Sequence, residues 1–291
     1  MAVTPEVERA RTVRAGSAFA VVWLAFAVFW VIPGEVAFVG PLMSNGTPLR
    51  LLGLVAFGLV VLGFLASDRR IPSKPAAWVV LTFIGFALVA FATGNLRALT
   101  APESAQLDRY VLIVLSASGL SLLTMTVVDS IQRAHRLIGL LAIGAVISVV
   151  VASLQFVGVI ERWAWAIDAP FLTTVVGSAG VSTRLGFPRV PGTTTSPIEY
   201  SVLLALTVPL VIHLAVHART QLARYASGLA VVVVLGGLLI GFSRSGVLAL
   251  AAALLVAGVF LSFRQQVGLL VGSALAVTVA VVLVPRVVEA F

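Results

Sequence analysis

The chain has 291 residues, of which 60% are hydrophobic and only 10% charged, with a mean hydropathy of +1.13 and a formal net charge of +8. Because soluble domains carry about 25% charged residues, this composition excludes an ordinary soluble protein. The chain has no cysteine, which excludes disulfide bonds and thiolate metal ligands. Its basic residues are scattered singly over many short segments, which argues against nucleic acid as a partner.

A transmembrane α-helix needs about 20 mainly apolar residues, and continuous apolar runs of about this length recur along the chain. They predict an all-α integral membrane protein with about nine transmembrane helices. In chain order, the predicted helices span residues 15–32, 49–66, 76–92, 110–128, 137–160, 197–216, 226–242, 247–263 and 267–284. They form one predicted transmembrane domain, residues 15–284, between a polar N-terminal segment, residues 1–14, and a C-terminal tail, residues 285–291.

The basic residues predict how these helices are oriented. Short cytoplasmic segments are enriched in arginine and lysine, and Arg9, Arg11 and Arg14 precede the first predicted helix. We therefore place the N-terminus in the cytoplasm and, after nine crossings, the C-terminus outside. Several arginines remain in the outer connections, which an anionic lipid or substrate bound at that face would explain.

The longest connection, residues 161–196, is predicted on the outer side and leads into the sixth helix. Connections of this length are usually functional. Its apolar middle, residues 171–181, is expected to lie on the membrane or dip into it. Arg184 and Arg189 lie near its end, and Gly192 follows in a Pro-Gly turn that a helix cannot continue.

The residues that open the sixth helix favour binding of an anion. Thr193 begins a run of four hydroxyl residues that can cap the helix, and Glu199 complements the positive end of the helix dipole. Hydroxyls, backbone N–H groups and the two preceding arginines together make a cluster that can hold a phosphate. An ordinary capped loop with interfacial arginines, in which Glu199 caps the helix or pairs with Arg189, explains the same residues.

A short turn between the seventh and eighth predicted helices, residues 243–246, carries Arg244. A charge so close to the hydrocarbon is costly unless it is paired or hydrated. Arginine presents a planar fork that suits phosphate, and Ser243 beside it is suited to hydrogen bonding rather than to contact with lipid. The alternative is an arginine that reaches to the interface and binds nothing.

His213, in the sixth predicted helix, and His217, directly after it, lie four residues apart, a spacing that can hold a metal ion on a helix. No further ligand lies nearby in the sequence. We therefore interpret the pair as an interfacial helix end, and we expect neither a metal nor another cofactor.

Two segments together resemble a known family. The stretch RVPGTTTSPIEYSVLLALTVPLVI is followed by a helix that ends in GFSRSG and by a further apolar helix. This pattern resembles the O-antigen ligase and polymerase family, which are bacterial polytopic glycosyltransferases of the GT-C type. Arg189 and Gly192 match the Arg-x-x-Gly element of that family, and Ser243 and Arg244 match its Ser-Arg-Gly-like turn.

The resemblance implies a function in the assembly of surface polysaccharide. Members of the family move a glycan from an undecaprenyl-pyrophosphate carrier to an acceptor at the outer face of the bacterial plasma (inner) membrane. By this resemblance Arg189 and Arg244 are catalytic, because they bind the pyrophosphate and stabilise the charge that develops on the leaving group. The other residues assigned to substrate binding, which lie near these arginines in the sequence, are Arg184, Gly192, Thr193, Ser243 and Glu199. The implied partners are a polyprenyl-pyrophosphate-linked glycan and membrane lipids.

One feature of the family has no counterpart in this sequence. Its members carry a large outer loop with a catalytic histidine, followed by further helices, after the point that corresponds to Phe291. We therefore expect the 291-residue chain to bind carrier lipid, but to transfer glycan poorly or not at all unless a partner subunit supplies that part. Two other functions fit the residues: a flippase or other transporter for lipid-linked glycans, and a truncated, non-catalytic partner subunit.

Overall fold

The computed structural model describes residues 5–32, 34, 36–40, 45–66, 75–161, 163, 170–174, 181–184, 187–241 and 243–259. The helices in this part of the chain are α1 (Pro5–Val31), α2 (Pro48–Ala66), α3 (Pro75–Gly94), α4 (Ala101–Val127), α5 (Ile131–Phe156), α6 (Pro197–His217), α7 (Gln221–Ile240) and α8 (Arg244–Gly258). The strands are β1 (Val36–Phe38), β2 (Leu172–Thr174), β3 (Ser182–Arg184) and β4 (Phe187–Arg189).

Among the described residues, six helices, α2 to α7, are long and apolar enough to cross a membrane. Two shorter helical segments are also apolar. One is Ala18–Val31, the later part of α1, and the other is α8. The chain is therefore a helical, multi-pass membrane protein, as its composition predicts. The ninth predicted helix, residues 267–284, and the tail, residues 285–291, lie outside the described residues, so the number nine and the orientation stay predictions.

Helix α4 begins earlier than the apolar run predicts. We expected an outer loop over residues 93–109, whereas α4 begins at Ala101. The reason is local: Glu103 reaches back to Thr100 and accepts hydrogen bonds from its backbone N–H and its hydroxyl, both at 2.9 Å. This is the acidic half of a capping box, which fixes a helix start among polar residues.

Polar caps also begin two other helices before their apolar runs. The Ser130 hydroxyl accepts a hydrogen bond from the backbone N–H of Arg133 at 3.3 Å, and α5 begins at Ile131 rather than at residue 137. The Thr220 hydroxyl accepts from the backbone N–H of Ala223 at 3.2 Å, and α7 begins at Gln221 rather than at residue 226. Side-chain acceptors satisfy the N–H groups that a helix start leaves free.

The chain divides into two compact units. The first comprises α1 to α4, β1, β2 and the start of α5, and the second comprises the rest of α5 with β3, β4 and α6 to α8. In the first unit α2 and α4 touch through small residues. A Cβ at Gly53 would lie 1.9 Å from the Ser116 hydroxyl oxygen, and one at Gly119 would lie 2.5 Å from the Phe57 backbone nitrogen. Small residues allow this close approach, as is typical of packed membrane helices.

The second unit has its core around the first turn of α6. Tyr200 and Ser201 are completely buried, and the Tyr200 hydroxyl donates to the carbonyl of Gly237 in α7 at 3.2 Å. A Cβ at Gly241, where α7 ends, would lie 2.4 Å from the Ser201 hydroxyl oxygen. A Cβ at Gly246, in the first turn of α8, would lie 2.5 Å from the Ser201 Cβ. The start of α6, the end of α7 and the start of α8 therefore meet at one end of this unit.

The long connection forms two short antiparallel pairs in its described residues. Strand β2 pairs with β1, with Val36 opposite Thr174 and Phe38 opposite Leu172. The first part of residues 171–181, the segment that we expect to lie on the membrane or dip into it, forms this strand in the first unit. Residues 175–180 lie outside the described residues, and the position of the segment at the membrane stays a prediction. Strands β3 and β4 pair with each other and lead directly to α6.

Candidate functional site

Arg189 is the last residue of β4, opposite Ser182 in β3. Its side chain is half-buried, and its Nε–H lies out of contact with solvent without a hydrogen-bond partner among the described residues. A buried donor without an acceptor costs about 1–3 kcal/mol. The described residues therefore leave this donor unsatisfied. Arg184 ends β3, opposite Phe187, and its side chain lies outside the described part of the structure.

The turn after Arg189 is held by a side chain from α5. Gly192 has a left-handed backbone, with φ of +59°, and an added Cβ would lie 2.6 Å from the Ser148 hydroxyl oxygen and 2.8 Å from the Tyr200 ring. Both backbone groups of Gly192 bond the amide of Gln155: its N–H donates to Oε1 at 2.8 Å, and its carbonyl accepts from Nε2 at 3.1 Å. Glycine suits this position because it tolerates both the positive φ and the close contact.

A second polar side chain of α5 holds the next residue. The backbone N–H and the hydroxyl of Thr193 contact the Ser148 hydroxyl at 3.2 and 3.0 Å. Thr193 is 1% exposed and Ser148 is completely buried. Gly192 and Thr193 thus have all these groups engaged inside the fold. They support the conformation of the chain beside Arg189 rather than offer open hydrogen-bonding groups.

Glu199 caps α6. Its Oε2 accepts from the backbone N–H of Thr195 at 3.2 Å and also from the Thr195 hydroxyl, while its own N–H donates to the hydroxyl of Ser196, the N-cap residue, at 3.1 Å. This reciprocal arrangement satisfies the free donors at the helix start. Capping is one of the two purely structural interpretations of Glu199 that the sequence leaves open. The other, an ion pair with Arg189, is not formed between these two described residues.

Ser243 and Arg244 form the start of α8 rather than a separate turn, which corrects the prediction of a turn over residues 243–246. Ser243 is the N-cap residue, 4% exposed, and its hydroxyl lies 2.7 Å from that of Ser245. Arg244 is the first helical residue and its side chain is exposed. It forms no hydrogen bond or ion pair with another described residue. Helix α8 thus presents a free guanidinium beside its positive end.

The two arginine-bearing segments meet at the same end of the second unit. The Gly192 turn, three residues after Arg189, packs on the ring of Tyr200. Two residues after Arg244, Gly246 packs on Ser201, the neighbour of Tyr200 in α6. The first turn of α6 therefore lies between the segment that carries Arg189 and the one that carries Arg244.

His213 and His217 lie in the last part of α6, away from this end. Their rings stack with centroids 4.2 Å apart, and Nδ1 of His217 lies 3.0 Å from the His213 carbonyl oxygen. Within the described residues, no group of three or more histidine, cysteine, aspartate or glutamate side chains is placed to hold a metal ion.

Gln155 and Ser148 are site residues that the sequence does not reveal. Each is a single polar residue within the apolar run of α5, and their partners Gly192 and Thr193 are 37 and 45 residues away in the chain. Such residues are frequent in apolar helices without any such contact, and periodicity does not distinguish them. The only available signal is that buried polar side chains are usually hydrogen-bonded.

No family model, curated protein or solved structure matches this chain.

Proposed function

We propose that the chain binds a polyprenyl-pyrophosphate-linked glycan at the start of α6 and α8 and acts in glycan transfer for the assembly of surface polysaccharide, as its resemblance to the O-antigen ligase and polymerase family implies. The observation that carries the proposal is the pair Arg189 and Arg244. They lie on segments that pack against one turn of α6, and neither forms an ion pair with a described carboxylate. Two positive charges at one end of a helical unit, without paired carboxylates, would be stabilised by a bound anion.

A pyrophosphate fits this requirement. It carries several negative oxygens, and arginine binds phosphate through paired, charge-assisted hydrogen bonds. Glycan transfer breaks the bond between the sugar and the phosphate oxygen, so negative charge develops on the pyrophosphate as it leaves. Guanidinium groups held in place before the reaction would stabilise that charge.

The other residues have supporting roles in this proposal. The N-terminal end of α8, which begins with the exposed Arg244, adds a partial positive charge. Arg184 ends β3, the strand that pairs with the strand carrying Arg189. In this proposal it contributes a further positive charge for binding the same anion. Gly192 and Thr193 fix the chain beside Arg189, and Glu199 fixes the start of α6.

The test is binding of undecaprenyl pyrophosphate to the purified chain in nanodiscs. Arg189→Ala and Arg244→Ala should each weaken binding by about ten- to a hundredfold, since a hydrogen bond to a charged group contributes roughly 1.5–3 kcal/mol. Arg244→Lys should lie between wild type and Arg244→Ala, because lysine keeps the charge but loses the fork. Undecaprenyl phosphate, with one phosphate group, should bind more weakly than the pyrophosphate.

Two exposed arginines serve as matched controls. Arg224 lies near the start of α7, at the opposite end of a helix whose last residues adjoin the site. Arg97 precedes α4 in the first unit and pairs with Glu103 at 3.4 Å. Alanine at either position should leave binding unchanged. Equal, small effects at all four arginines would show that they are only interfacial anchors, and the proposed function would fail.

A further inference from the structure

The first unit contains a second pair of arginines, at the start of α2 and in the third turn of α4. Arg50, the third residue of α2, is 8% exposed. One of its terminal nitrogens donates to the backbone oxygen and to the side-chain oxygen of Asn45, at 3.0 and 3.2 Å. Both acceptors are neutral, and Arg50 has no carboxylate partner among the described residues. A buried arginine at the end of an apolar helix is costly unless an opposite charge lies close.

Arg109 adds a second positive charge to this region. Arg109 lines a half-open cleft of about 240 Å³ together with Asn45, Gln106 and Asp108. Asn45 therefore faces the cleft and also holds Arg50 behind it. Amide and guanidinium groups supply the donors that a phosphate accepts.

The charges define the kind of anion. Arg50, which bonds Asn45 of the cleft lining, and Arg109 contribute two positive charges and Asp108 contributes one negative charge, so these three groups leave one positive charge unbalanced. A phosphodiester carries a single negative charge, whereas a phosphate monoester carries about two near neutral pH and would be repelled more strongly by Asp108. We infer that this cleft binds a phosphodiester group, either from a lipid headgroup or from a soluble molecule. The inference does not depend on the proposed function, because Arg189 and Arg244 belong to the second unit.

The test measures binding of a fluorescent short-chain phosphatidylglycerol to the purified chain in detergent. Arg109→Gln should weaken binding by about tenfold, since it removes one charge-assisted hydrogen bond. Asp108→Asn should strengthen it by about two- to fivefold, the usual effect of a single exposed charge. Both side chains are exposed, so neither change should impair folding. Arg97→Gln, which removes an exposed arginine that is outside the cleft lining, should change nothing.

Two further probes identify the source of the phosphate. Competition by soluble glycerophosphoglycerol would assign the site to a soluble phosphodiester, and its failure while the lipid binds would assign the site to a headgroup. Diacylglycerol, which lacks the phosphate, should not compete. The inference is overturned if Arg109→Gln weakens binding no more than Arg97→Gln, if Asp108→Asn weakens it, or if diacylglycerol competes as well as phosphatidylglycerol.

Discussion

Gln155 is the side chain that connects α5 to the segment carrying Arg189. It is 2% exposed, and its amide satisfies both backbone groups of Gly192. The two arginines of the site could be predicted from the sequence, because isolated charges beside apolar runs are conspicuous. Gln155 could not, because its role depends on a partner that only the fold brings near. A reader of the sequence can find the charged groups of such a site, but not the neutral groups that support them.

Replacing Gln155 by leucine tests this connection. The apolar side chain would leave the buried N–H and carbonyl of Gly192 without partners, which costs about 1–3 kcal/mol. We expect a lower midpoint of thermal unfolding and weaker binding of undecaprenyl pyrophosphate, since the turn beside Arg189 is released. The control is Ser153→Ala on the same helix, because among the described residues the Ser153 hydroxyl bonds only the Val149 carbonyl of its own helix, at 2.8 Å. If Gln155→Leu lowers the midpoint but leaves binding intact, Gln155 has a purely structural role.

At the scale of the elements, apolar runs predict that a helix exists better than where it starts. The predicted start of α6, residue 197, agrees with the structure. The starts of α4 and α5 do not, because polar caps extend them beyond their apolar runs. The capping signal Thr100-x-x-Glu103 can be recognised in the sequence. The pairing of β1 with β2 cannot, since it joins segments more than a hundred residues apart that have no distinctive pattern.

Two neighbouring glycines in α7 provide a test of how closely α7 packs against α5 and α6. A Cβ at Gly237 would lie 2.3 Å from a methyl carbon of Val149 and 2.9 Å from the Tyr200 hydroxyl oxygen, whereas a Cβ at Gly236 would meet no atom of the described part of the chain within 4 Å. Gly237→Ala should therefore lower the midpoint of thermal unfolding, because overpacking typically costs about 1–3 kcal/mol. Gly236→Ala should leave the midpoint unchanged or raise it slightly, because alanine favours a helix over glycine by about 1 kcal/mol.

The pair is informative because the two changes are chemically identical and adjacent. Equal effects of Gly236→Ala and Gly237→Ala would contradict the packing of α7 against α5 and α6. A loss at Gly237 alone, accompanied by weaker binding of undecaprenyl pyrophosphate, would link that packing to the site at the start of α6.

At the scale of the whole molecule, the contacts within each unit show helices of alternating direction. In the first unit, Gly53 of α2 meets Ser116 of α4, and Phe57 meets Gly119, so the contacts advance in the same direction along both helices. In the second unit, the starts of α6 and α8 meet each other and the end of α7. Within the first unit α2 and α4 are therefore parallel, and within the second unit α7 is opposed to α6 and α8, as expected for a chain that crosses a membrane repeatedly.

The orientation of these helices in the membrane can be tested by labelling the two ends of α4. This helix has 27 residues, or about 40 Å at 1.5 Å per residue, which exceeds the hydrocarbon thickness of about 30 Å. Ala98 before α4 and Gln132 after it are exposed. Because the chain has no native cysteine, a single cysteine at either position would be the only residue of the protein that a maleimide labels. From the basic N-terminal segment, we expect Ala98→Cys to react with a membrane-impermeant maleimide in intact spheroplasts, and Gln132→Cys to react only after permeabilisation. The reverse result would invert the orientation and place the start of α4 in the cytoplasm. Reaction of both in intact spheroplasts would show that α4 does not cross the membrane.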